Sequence, residues 1–191
     1  MIFDYYKNIQ LAQTIGAKEL IKDIIKDFEC ILEIGTLHAG LSLFINDNKK
    51  PNTEFITFDI NHSHIWQGKS TPEGGDKIKF AIVDCFSESA INIIKNKFKN
   101  YKTLLMCDGG NKNYEFNFYS QFMSSNSVIM LHDYIDDTLP EYWSGLAQIK
   151  NWKAPPESRY SAIKESVIKY GLYPYRYKEL LEVFWGAYIK P

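Results

Sequence analysis

Five apolar runs in this 191-residue chain end on residues that can do chemistry. CILEIG carries Glu33 and Gly35, EFITFD ends on Asp59, KFAIVD on Asp84, TLLMCD on Asp108, and SVIMLHD on His132 and Asp133. One polar strand end is unremarkable; five in succession suggest a site where strand ends converge. In EIGTLHAG, Gly35 and Gly40 remove side chains where the backbone turns and could approach a ligand, and the helix that follows offers free N–H groups. A tight strand-to-helix turn would need the same glycines. The stretch is not GxGxxG and has no P-loop lysine, which speaks against a dinucleotide-binding dehydrogenase and against a pyrophosphate site. Asp59 follows Gly35 by 24 residues, a spacing that suits an acid accepting hydrogen bonds from a ribose diol. An acid capping a turn is the alternative, and the glycine turn upstream favours the ribose.

These residues need a scaffold, and the chain alternates strand and helix at least four times. TIGAKELIKDIIKDFE (14–29) has helical apolar spacing, within an N-terminal segment 1–29 expected to be helical. Strands are predicted at 30–34, 54–60, 79–84, 103–108 and 127–133, and helices over 41–45, 87–100 with Ser87 as cap, 114–123 and 158–171. The strands are continuously apolar, as strands buried on both faces are. Residues 61–77 show no period and are expected to form a long loop, with a second irregular stretch after residue 134. LYPYRYKE and LLEVFWGAYIK, nearly adjacent, should pair antiparallel. The expected fold is α/β: a Rossmann-like three-layer sandwich with a seven-stranded, mostly parallel sheet ending in an antiparallel pair, as one domain over 1–191.

Composition bounds the function. A formal charge of −1 lacks the basic excess of a nucleic-acid module, so no nucleic-acid partner is expected. No apolar run reaches the roughly 20 residues of a membrane helix, and the N-terminus lacks a signal-peptide pattern, so a cytoplasmic location is expected. Cys30, Cys85 and Cys107, odd in number and widely spaced, read as small buried hydrophobes in a reducing compartment.

The order of these motifs resembles the class I S-adenosylmethionine-dependent methyltransferases, across nearly the whole chain. ILEIGTLHAGLS is similar to their first motif, FITFDI to the second and AIVDCFSES to the third. LLMCDGG and SVIMLHDY are similar to strands four and five of the small-molecule O-methyltransferases, including the catechol-type, macrolide sugar and cephalosporin hydroxylase-like groups. Thr36 stands where many members have glycine. The resemblance implies S-adenosylmethionine as cofactor, held by Glu33, Gly35, Thr36, Gly40, Ser42, Asp59, Asp84, Cys85, Phe86 and Asp108, with Asp84–Cys85–Phe86 beside the adenine. It also implies a catalytic set of Asp108, His132 and Asp133, which in metal-dependent members would hold Mg²⁺ or Mn²⁺ against the acceptor's hydroxyls. Two carboxylates at one sheet edge repel unless protonated or bridged, and a cation resolves this. His132 suits Mn²⁺ better than Mg²⁺ and could instead be a general base; all three residues could also simply finish their strands.

The function expected is methyl transfer to a small molecule, at oxygen. The competing readings are a methyltransferase-fold enzyme with hydroxylase-like chemistry and a non-catalytic binding module. Trp66, Tyr134, Trp143 and Trp152 could line an acceptor pocket or cover a sheet edge, and His62 and His64 could be ligands or loop residues. Lys112 could pair with an anionic substrate or lie exposed in its loop. Phe184, Trp185 and Tyr188 could support an edge-to-edge homodimer.

Overall fold

A computed structural model describes residues 4–14, 16–140 and 156–191, apart from the side chains of 67 and 68. Trp143 and Trp152 lie outside the described residues. Seven strands form one sheet: β3 (Cys30–Ile34), β4 (Glu54–Asp59), β5 (Lys79–Ile82), β6 (Thr103–Cys107), β7 (Val128–His132), β10 (Tyr173–Pro174) and β11 (Trp185–Ile189). Their order is β10-β11-β7-β6-β3-β4-β5. The five strands β3 to β7 run parallel, and β11 is antiparallel to both β7 and β10.

Strand periodicity divides the core into two layers. Ile31, Leu104, Met106, Val128, Met130, Trp185 and Ala187 point one way, against α1 (Ala17–Ile24) and α2 (Gly40–Asn48). Their neighbours Cys30, Leu32, Leu105, Cys107, Ile129, Leu131 and Tyr188 point the other way, against α3 (Glu88–Asn100), α4 (Lys112–Tyr119) and α5 (Tyr160–Lys169). Burial on both faces explains why these strands are continuously apolar. It also produces the three layers expected.

Several local expectations change. The N-terminal segment is not helical throughout: Tyr5–Tyr6 (β1) and Ile9–Gln10 (β2) form a hairpin ahead of α1. A short helix α6 (Tyr177–Leu181) separates β10 from β11, so the antiparallel pair is real but its connection is helical. The segment YKELL forms this helical turn and buries Leu180 and Leu181. The loop 61–77 contains two 3₁₀ turns, Ile65–Gly68 and Gly75–Lys77. Ser87 caps α3 as expected, accepting from the Ala90 N–H. The aromatics proposed for a dimer edge are internal: Phe184, Trp185 and Tyr188 are buried, and β11 lies between β10 and β7.

The strand order reverses beside β3, because β4 lies on one side and β6 on the other. Ligands in open α/β sheets bind beyond the carboxyl ends of the strands at such a switch point. Here those ends are Gly35 and Asp108. A Cβ on Gly35 would lie 2.2 Å from the Asp108 carbonyl oxygen, and Gly35 has φ +93°. Gly35→Ala is therefore expected to cost about 3 kcal/mol or more through strain and overpacking, measured by urea denaturation; a loss under about 0.5 kcal/mol would show that the two loops can separate freely.

Candidate active site

Two cavities flank this switch point and share Gly35, Leu37 and Asp108 in their walls. The larger, about 530 Å³, is lined by Phe58, Asp59, Asp84, Cys85, Phe86 and Glu115 among others. The smaller, about 230 Å³, is lined by Glu33, Thr36, Gly40, Lys112, His132, Asp133 and Glu157 and is closed on one side by Gln10–Ala12 of the N-terminal segment.

Asp59 ends β4 and accepts from two backbone amides, Leu37 N–H and Asn61 N–H, each at 3.0 Å. It thus ties the glycine turn to β4 and still faces the larger cavity with spare lone pairs. Asp84 is exposed and accepts from the Phe86 N–H at 2.9 Å, which fixes the turn that presents Phe86. Phe86 packs on Tyr114 at a 4.8 Å centroid distance. Cys85 is half-buried, its carbonyl accepts from the Tyr119 hydroxyl, and burial pushes its thiol up to about 12, so it stays neutral. Glu115, not anticipated from sequence, is buried under the Gly109–Asn111 loop and accepts from both those amides; burial raises its carboxyl to about 7.

Under the smaller cavity, Thr36 bonds Thr57 hydroxyl to hydroxyl at 2.6 Å, which gives the side chain at the usual glycine position a buried partner. Gly40 leaves room for the Gln10 carbonyl, which a Cβ would approach to 2.1 Å. Ser42 is fully buried, donates to Glu33 and lines neither cavity, so its contribution is to hold Glu33. Burial raises the Glu33 carboxyl to about 8, against the hydrogen bonds from Ser42 and Thr57. It is neutral at pH 7.

The expected convergence of Asp108, His132 and Asp133 is present, with one ligand atom of each within 4.8 Å of the others. His132 Nδ1 lies 2.8 Å from Asp108 Oδ1 and 3.6 Å from Asp133 Oδ2. The ring packs on Trp185 at 4.8 Å. Its Nε2 is buried with no hydrogen-bond partner among the described residues. Burial disfavours the imidazolium, but the Asp108 charge and hydrogen bond, with the Asp133 charge, outweigh it and hold His132 above the usual histidine range.

Two further groups complete the cluster. Gln13, buried, receives the Trp185 indole N–H at 2.8 Å on Oε1 and donates through Nε2 to Asp108 Oδ2 at 3.1 Å. The indole can only donate, so it sets the amide's orientation and leaves the NH₂ for Asp108. Lys112 is buried rather than exposed in a loop. Asn111 caps α4 through the Tyr114 N–H, so the helix starts two residues before the expected 114 and places Lys112 in its first turn. The ammonium pairs with Glu157, lies 3.3 Å from Asp133 Oδ2 and 3.9 Å from Asp108 Oδ1, and donates to the Gly109 carbonyl. Burial lowers the lysine's basicity, but Asp108, Glu157 and Asp133 outweigh this and hold it above the ordinary range. It stays charged.

The remaining candidates fall elsewhere. Trp66 packs edge-on to Phe80 in the core, and Tyr134 is buried and bonds the Tyr188 hydroxyl at 2.8 Å, so neither lines the two cavities. His62 and His64 are exposed and do not join the Asp108 cluster, although His64 does line the larger cavity. Cys30 and Cys107 are buried free thiols. No helix among the described residues is long and apolar enough to cross a membrane.

No family model and no curated protein matches the chain. Solved structures do. The apo form of CmcI (N160) matches with TM-score 0.61 at 9% identity, over 90% of this chain and 68% of that one. CmcI (D160) with Mg and SAM matches with TM-score 0.58 at 12% identity, over the same shares of both chains. An O-methyltransferase from Bacillus cereus in complex with SAH gives TM-score 0.54 at 12% identity, over 93% and 82%. The fold is the class I methyltransferase fold. This chain spans about two thirds of the length of the CmcI chains it matches.

Two outcomes follow from the buried groups. Gln13→Ala is expected to destabilise the protein by about 1–3 kcal/mol, since it strands the Trp185 N–H and one Asp108 oxygen; unchanged thermal stability would contradict the network. Glu33 has a folded pKa of about 8 against about 4.3 when unfolded. Its contribution is fully present below the unfolded value and is lost as pH rises through 8. Glu33→Gln should therefore flatten stability between about pH 4.5 and 8 by a few kcal/mol, read from denaturation midpoints; an unchanged pH slope would refute a neutral buried Glu33.

Proposed function

We propose that this protein transfers a methyl group from S-adenosylmethionine to a hydroxyl of a small molecule. The observation that carries the reading is the pair of cavities meeting at Gly35 and Asp108, one bounded by Asp59 and Phe86 and the other by the Asp108–His132–Lys112 cluster. Their union suits an elongated donor lying across the carboxyl ends of β3, β4 and β6, with its reactive end toward the cluster.

In this reading Asp59 accepts from the ribose hydroxyls, and Phe86 borders the base with the Asp84 turn behind it. Gly35 and Thr36 let the backbone pass close to the donor, and Glu33, held by Ser42, faces its amino-acid end. When bound, S-adenosylmethionine supplies an electrophilic methyl on a sulfonium, which leaves as a neutral thioether when an oxygen attacks in line. His132 serves as the base in its neutral form: with its Nδ1–H directed to Asp108, Nε2 carries a lone pair, and this atom, buried in this structure, would have to open to the acceptor to take its proton. Asp108 fixes that tautomer and is itself fixed by Gln13. Lys112 keeps a positive charge beside the acceptor oxygen as that oxygen becomes more negative. Orientation by these groups supplies much of the remaining rate.

Asp108, His132 and Asp133 are the residues that would hold a divalent ion, and two carboxylates with one imidazole suit Mn²⁺ better than Mg²⁺. The ammonium of Lys112 already faces the same carboxylate oxygens, so an ion fits only with Lys112 displaced. No step above passes through a metal.

Titration calorimetry with S-adenosylhomocysteine is expected to show one site, weakened about tenfold or more by Asp59→Ala through the lost ribose hydrogen bonds. No binding would overturn the methyltransferase reading, and equal binding by the variant would remove Asp59 from the ribose. With an acceptor in hand, His132→Gln should lower kcat by about 10²–10⁴ with little change in KM; near-normal turnover would exclude His132 as the base.

A further inference from the structure

We infer that Lys112 is the resident cation of this carboxylate cluster and takes the place of a divalent metal. The inference deepens the proposed methyl transfer and rests on it for the role of the charge. The seating of the ammonium stands on geometry alone.

Three carboxylates, Asp108, Asp133 and Glu157, surround one ammonium that is only 5% exposed, and the Gly109 carbonyl receives another of its N–H bonds. Of the three donors an ammonium offers, two go to Glu157 and the Gly109 carbonyl, and Asp133 Oδ2 lies within ion-pair distance at 3.3 Å. A buried lysine is tolerated only when its charge is met in this way. A divalent ion held by Asp108, Asp133 and His132 would compete with Nζ for Asp133 Oδ2 and Asp108 Oδ1, which lie 3.3 and 3.9 Å from it. It would also have to displace the proton shared by His132 and Asp108. Two cations within contact distance repel strongly in so buried a place, so metal binding and the seating of Lys112 exclude each other.

The device is local. Lys112 reaches the cluster because Asn111 starts α4 at the end of the Asp108 loop, and Glu157, on the segment leading into β9 (Ser158–Arg159), covers it from the other side. The Ser158 hydroxyl donates to the His132 carbonyl at 2.6 Å and its N–H to the Asp133 carbonyl at 3.2 Å, so Glu157 is delivered to Lys112 by the strand end it helps to neutralise.

The test is Mn²⁺ titration followed by electron paramagnetic resonance on the full chain, before and after Lys112→Met. The wild-type protein is expected to leave Mn²⁺ free at micromolar concentrations. Lys112→Met, with the carboxylates uncompensated, should bind one Mn²⁺ at least tenfold more tightly, and this binding should disappear in Lys112→Met/Asp133→Asn. Stoichiometric, tight Mn²⁺ binding by wild type would overturn the inference, and so would a Lys112→Met protein that binds no better. Should Lys112→Met fail to fold, Lys112→Ala and the wild-type titration decide the question. Calorimetry with S-adenosylhomocysteine on the same wild-type sample separates failure of this inference from failure of the methyl-transfer reading: donor binding with tight Mn²⁺ sinks the former alone.

Discussion

The close approach of two backbones, Gly35 at the end of β3 and Asp108 at the end of β6, is the constraint on which the rest of the site depends. No side chain fits between them, so the chain must place a glycine there and must turn it with positive φ. That turn sends α2 beneath the smaller cavity and opens the crevice where the strand order reverses. Asp59 then ties the turn to β4. The same contact sets Asp108 between the two cavities, where one residue's carboxylate borders both.

Asp108 is held on both oxygens, by Gln13 on one and His132 on the other. A carboxylate fixed in this way cannot swing toward an acceptor; it orients an imidazole and raises its proton affinity. In the proposed reaction the residues facing the acceptor are therefore His132, Lys112 and Asp133. Part of the cluster's negative charge is offset by the chain itself, since Lys112 meets three acids that would otherwise repel one another. Its partner Glu157 lies far along the chain, so the cluster closes only when β9 has docked on β8 (Tyr134–Ile135).

Much of the scaffold was legible because its strands are buried on both faces and read as apolar runs, each ending where the sheet meets the site. Asp59, Asp108, His132 and Asp133 were visible for that reason: a polar residue directly after a buried run marks a strand end. Gln13 was not, because its partner Asp108 lies 95 residues away and no local pattern announces it. Lys112 was misread through a boundary: had Asn111 been taken as the helix cap, the lysine would have fallen in the first turn at the site. Glu157 follows two prolines and carries no period. The aromatics misled for another reason. Residue type does not tell a pocket wall from a core, and Trp66, Tyr134, Trp185 and Tyr188 all proved to be core. The helix α6 was missed because its five residues lie between aromatic runs that mimic strands.

The central claim is that one ligand spans the Asp59 cavity and the Asp108–His132–Lys112 cluster. A crystal structure grown with S-adenosylhomocysteine tests it most directly. The account predicts the ribose hydroxyls on the Asp59 carboxylate, the adenine beside Phe86, and the sulfur directed toward His132 and Lys112. A ligand bound elsewhere on the protein, or lying in these cavities with its ribose away from Asp59 and its sulfur away from the cluster, would contradict it.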